Sequence, residues 1–198
     1  AVGGGYKPRL GEDYTVALTG NSYTGEGNPV VTARVTPTNR RYAAGEPLDM
    51  TVTVTLPAAV PDGRAAPVSF GGNFTANGLA SVQFPNWEGE SRSDTGAWGD
   101  PNRAGTFYRV FPYERNSTNR DSSILIANAT GVSVTLDILQ LAVAANPALR
   151  AKLDPSRAVT KGFSIGGKNA FVAALFDERG EGGGNGGSRA PGPANRRS

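Results

Sequence analysis

Two residue types that carry much enzyme chemistry, cysteine and histidine, are absent from the 198 residues. Without cysteine there is no disulfide framework, no thiolate nucleophile and no thiolate zinc site. Without histidine these residues hold no imidazole base, no Ser–His–Asp triad and no His-ligated metal. No run of eighteen apolar residues occurs, so a membrane-spanning helix is not expected. The opening AVGGGYKPRLG lacks the apolar core of a signal peptide. It reads as a start left by processing, or as a cytosolic one. An excess of one charge is also missing. The net charge of +3, from 20 basic and 17 acidic residues, does not mark a nucleic-acid binder.

Glycine and proline are plentiful instead, at 27 and 14 residues. They break the chain into short segments without a collagen-like period. Leu48–Leu56 gives the clearest strand signal, with Leu48, Met50, Val52, Val54 and Leu56 on one face and Asp49, Thr51, Thr53 and Thr55 on the other. Further strand candidates are Tyr14–Thr19, Val30–Thr36, Val68–Phe70, Leu79–Phe84, Thr106–Phe111, Ser123–Ala127 and Gly131–Leu136. Turn signals separate them. This spacing predicts a mainly β fold, an antiparallel sandwich or barrel of about 7–8 strands, and argues against parallel α/β alternation. The stretch Thr36–Leu56, with Tyr42 and Ala44-Gly45-Glu46-Pro47, resembles strand–turn–strand segments of bacterial immunoglobulin-like domains. That resemblance implies a sandwich.

Two helices are expected near the C-terminus. One spans about 137–153, as two short helices or one helix kinked at Pro147, and is ended by Asp154-Pro155. The other spans about 168–179, with Phe171, Leu175 and Val172 turned inward. The expected layout is a flexible arm at 1–13, one β-rich domain at 14–179 and a disordered Gly/Arg/Pro-rich tail at 180–198.

Gly162-Phe-Ser-Ile-Gly-Gly-Lys168-Asn169 is a near miss to a phosphate-binding P-loop, with Asn where a hydroxyl should meet magnesium. It reads as a Gly-rich turn entering a helix. No cofactor or metal is expected. The 85–105 loop and its flank concentrate aromatics and acids. Trp87, Trp98, Phe107, Tyr108 and Tyr113 are candidate interface or glycan contacts. Glu88, Glu90, Asp94 and Asp100 are candidate hydroxyl acceptors or a catalytic carboxylate pair. Arg189, Arg196 and Arg197 in the tail are candidate partner or nucleic-acid contacts.

With the common catalytic types missing, the leading expectation is a non-enzymatic structural protein that assembles with copies of itself into a large homo-oligomer. It would be a virus or phage coat or decoration subunit, located in the virion, with other virion proteins as further partners. The alternatives are an extracellular or cell-surface carbohydrate-binding module and a carboxylate-based glycoside hydrolase.

Overall fold

The structure, a computed structural model, describes residues 9–38, 46–83, 124–162, 165–177 and 180–182. The first three strands follow the sequence pattern closely. Strands β1 (Tyr14–Asn21), β2 (Val30–Pro37) and β3 (Leu48–Thr55) form an antiparallel meander. Val31 lies opposite Val52 and Ala33 opposite Met50, so the apolar sets of β2 and β3 share one face. Those residues, with Val35 and Val54, are buried, while Asp49 and Thr51 meet solvent. Burying each such valine contributes about 1.5–3 kcal/mol.

The remaining elements are β4 (Ala66–Phe70), a short 3-10 turn (Thr75–Asn77), β5 (Ala80–Gln83), α1 (Ile124–Ala145), α2 (Pro147–Arg150), β6 (Leu153–Thr160), α3 (Ile165–Phe176) and β7 (Gly180–Gly182). Among the described residues all seven strands lie in one sheet, in the order β1-β2-β3-β5-β4-β6-β7. The main element is therefore β, as expected, but among the described residues the strands form neither a sandwich nor a closed barrel. From β5 to β7 the neighbours run parallel. Parallel neighbours need crossover connections. Here α1 and α2 lie between β5 and β6, and α3 lies between β6 and β7. The α/β alternation argued against from sequence is present in this half.

Three local readings are corrected. Ser123–Ala127 and Gly131–Leu136 are not strands, because α1 runs from Ile124 to Ala145. From Ala129 to Leu136 every residue of α1 is buried, so β-branched residues are held in a helix by packing rather than by propensity. Thr135 Oγ1 donates to the Gly131 carbonyl at 2.7 Å, which satisfies its hydroxyl inside the helix. Second, of the two forms expected for 137–153 the two-helix one is found, but the first helix starts earlier, at Ile124, and the second ends at Arg150. Asn146 accepts from Leu149 N at 3.1 Å and Pro147 opens α2, so the proline starts a helix instead of kinking one. Third, Asp154-Pro155 does not close a helix but sits inside β6. Between the pairs Pro67–Asp154 and Val68–Ala158, residues 155–157 bulge out of the ladder. Arg157 holds the bulge, donating to Asp154 Oδ2 at 2.7 Å and to the Ala65 carbonyl at 2.6 Å.

At the other end of the chain, Arg9–Asp13 form a turn in which buried Asp13 accepts from Arg9 N at 2.9 Å. β7 lies at the head of the 180–198 segment and pairs with β6.

Candidate functional site

β4 and β6 are parallel neighbours, and their carboxyl ends stand side by side. Phe70 pairs with Thr160, and Lys161 N donates to the Phe70 carbonyl at 3.0 Å. The chain leaves β4 toward β5 on one side and leaves β6 toward β7 on the other. Such a reversal of strand order opens a crevice beyond the carboxyl ends, where α/β proteins bind ligands.

Two segments meet at this edge. The first, Gly71-Gly72-Asn73, follows β4. Gly71 adopts φ +84, and a Cβ there would stand 1.9 Å from the Lys161 carbonyl oxygen, so only glycine fits. Ser81 Oγ, from β5, donates to the Gly72 carbonyl at 3.1 Å. Asn73 Oδ1 accepts from Thr75 N at 3.1 Å and Thr75 Oγ1 at 2.8 Å. The backbone N–H groups of Gly71, Gly72 and Asn73 find no acceptor among the described residues. Three successive unpaired donors suit developing negative charge.

The second segment follows β6. The Lys161 ammonium lies 4.7 Å from the centroid of the Phe74 ring, a cation–π contact that ties the two segments together. Thr160 Oγ1 donates to the Ala170 carbonyl at 2.9 Å and clamps the strand end to α3. A Cβ on Gly167 would lie 3.1 Å from the Gly162 carbonyl oxygen, so α3 starts close against the strand end. Between β6 and the helix the sequence reads Gly162-Phe163-Ser164-Ile165-Gly166. This is G-x-S-x-G in the strand–turn–helix setting of a nucleophile elbow. Phe163 and Ser164 themselves lie outside the described residues.

From sequence this stretch reads as a near miss to a P-loop and as a Gly-rich turn entering a helix, and the second reading fits its place before α3. The signal that could have found the elbow pattern is the glycine on each side of Ser164.

Trp87, Trp98, Phe107, Tyr108 and Tyr113 lie outside the described residues, as do Glu88, Glu90, Asp94 and Asp100 and the tail residues Arg189, Arg196 and Arg197. On α3 the inward face is found only in part, since Val172 packs partly buried against the core. Phe171 and Leu175 are 66% and 64% exposed, and Ala173 is the buried residue. Among the described residues no acidic cluster is placed to hold a metal ion, and no helix is long and apolar enough to cross a membrane.

Comparison with known proteins gives this geometry a context. The family model for glucuronyl esterases of fungi matches residues 41–181, well over half the chain. A 4-O-methyl-glucuronoyl methylesterase from Hypocrea jecorina is 28% identical over 138 residues, covering 69% of this chain and 27% of that protein. The solved structure of a carbohydrate esterase family 15 glucuronoyl esterase from Caldicellulosiruptor kristjansonii superposes with a TM-score of 0.61 at 25% identity. That match covers 88% of this chain and 44% of the solved one. The chain thus spans less than half the length of either relative.

These matches overturn the expectation of a non-enzymatic coat or decoration subunit, and the virion location falls with it. The carbohydrate-binding module and the carboxylate glycoside hydrolase are set aside on the same ground. That expectation rested on absent residue types, and such a count does not exclude an enzyme. By the extent of the family match, this chain belongs to the fungal glucuronyl esterase family.

Proposed function

We propose that the protein is a serine esterase acting on glucuronoyl esters, and that these residues carry its nucleophile and its oxyanion donors. The observation that carries the reading is the contact of the Gly71–Asn73 turn with Lys161, three residues before Ser164. In this reading Ser164 Oγ attacks the ester carbonyl and the alcohol leaves. Water then releases glucuronate from the acyl-enzyme. The oxygen that becomes negative in each tetrahedral intermediate is met by N–H groups of the turn and by the N-terminus of α3, whose dipole favours negative charge.

Serine chemistry needs a base, and these 198 residues contain no histidine. We assign the base to polypeptide beyond them, in the same chain or a partner. An extracellular setting, the alternative location raised from sequence, suits an enzyme whose substrate is a sugar-acid ester. Trp87 and Trp98 remain proposed sugar contacts, since indole rings stack on the apolar faces of sugars.

The test is hydrolysis of the methyl ester of glucuronic acid by the protein as its host makes it. Ser164→Ala should lower kcat by roughly 10⁴-fold or more. Hydrolysis that survives Ser164→Ala, or a wild-type protein without ester hydrolysis, overturns the proposal.

A further inference from the structure

We infer that Ser81 is a positioning residue for the oxyanion site, holding the Gly72–Asn73 peptide so that the Asn73 N–H faces the attacked carbonyl. The inference rests on the proposed esterase reading. It concerns a residue far from Ser164 in sequence, on β5.

A pair of glycines leaves a turn free to rotate its peptide planes. Each plane in Gly71–Asn73 must therefore be fixed from outside. The first is fixed by contact, since Gly71 lies against the Lys161 carbonyl. The second is fixed by a hydrogen bond. Ser81 is 8% exposed, and its hydroxyl donates to the Gly72 carbonyl. A trans peptide is planar, so the carbonyl of Gly72 and the N–H of Asn73 point in opposite directions. Drawing the carbonyl onto the Ser81 hydroxyl turns the Asn73 N–H away from it. The Asn73 side chain is held by Thr75, so it does not fold back over its own N–H. The result is a donor oriented before substrate arrives, which is what makes backbone N–H groups effective at a developing oxyanion.

The experiment compares kcat and KM for glucuronoyl methyl ester hydrolysis in wild type, Ser164→Ala, Ser81→Ala and Ser81→Thr. Ser81→Ala should lower kcat about 10- to 100-fold, less than deletion of an oxyanion donor, with KM changed by less than about twofold. Ser81→Thr keeps the hydroxyl and should restore most of kcat. If Ser81→Ala does not fold, Ser81→Cys keeps the volume, offers only a weak donor and gives the same readout. A folded Ser81→Ala or Ser81→Cys with unchanged kcat overturns the inference, as does a loss confined to KM. Those results, alongside an inactive Ser164→Ala, remove the role of Ser81 alone. Activity retained in Ser164→Ala removes the esterase reading and this inference with it.

Discussion

In β3, buried Met50, Val52 and Val54 alternate with Asp49, Thr51 and Thr53, which keep contact with solvent. In α1, eight consecutive residues from Ala129 to Leu136 are buried. The antiparallel strands turn one face to the core, whereas this stretch of α1 is enclosed all round. A segment with one wet face must alternate or repeat to stay folded. A segment dry all round needs only to be apolar or internally bonded, and its period disappears.

The largest expected effects test that contrast directly. Val52→Asp should unfold the protein by burying an unpaired charge, a cost of several kcal/mol, while Thr51→Asp should change stability by less than about 0.5 kcal/mol. In α1 both Thr135→Asp and Leu136→Asp should unfold it, because neither position faces water. Urea denaturation of the four variants reads this out. A tolerated Thr135→Asp would show that α1 has a solvent face after all.

Next in size is a pair of glycines. Gly71→Ala forces a side chain into the left-handed region and against the Lys161 carbonyl, and should cost more than about 3 kcal/mol or empty the site of activity. Gly63 shares the positive φ but faces open space, so Gly63→Ala should cost only about 1 kcal/mol. Equal losses would mean that backbone strain, and not the contact with β6, limits position 71.

These contrasts also explain what could be read from the sequence alone. β1, β2 and β3 were legible because each alternates. β6 was not, since its bulge places Asp154, Pro155, Ser156 and Arg157 in mid-strand, where they hide the apolar residues Leu153 and Ala158. The isoleucines and valines of α1 read as strands because nothing on the helix marks a polar side. The site was half visible. The glycines around Ser164 stand in the sequence, but their meaning depends on a strand before them that the sequence disguised. Ser81 carries no signal of its own, because its role is a bond to a turn nine residues away.

Smaller effects belong to the bulge and to α3. Burial pushes the Asp154 carboxyl up, but hydrogen bonds from Ser156 and Arg157, with the Arg157 charge, pull it below the ordinary value of 3.8. A carboxyl lowered in the folded state stabilises the protein above its unfolded pKa. That contribution is lost as pH falls below 3.8 through the folded value. Asp154→Asn should cost about 1 kcal/mol at neutral pH, discounted for partial exposure, and should flatten the acid side of a stability profile. An unchanged slope would remove Asp154 from the acid response. Smallest of all, Phe171→Lys on the exposed face of α3 should leave the melting temperature within about 2 °C. A larger drop would mean that this face is covered in solution.

The bond between the Tyr14 hydroxyl and Asp137, and that between Asn146 Nδ2 and the Tyr23 carbonyl, each join residues 123 positions apart. The first ties β1 to α1, and the second ties the turn after β1 to the cap of α2. During synthesis the β1–β2 hairpin emerges early, yet its buried face has no partner until the ribosome has made α1. Closing so long a loop slows the last docking step, and the valines of β2 stay open to other chains meanwhile. The window for misassembly is thus set by the time needed to translate from Tyr14 to Asn146, and slower translation between them would lengthen it.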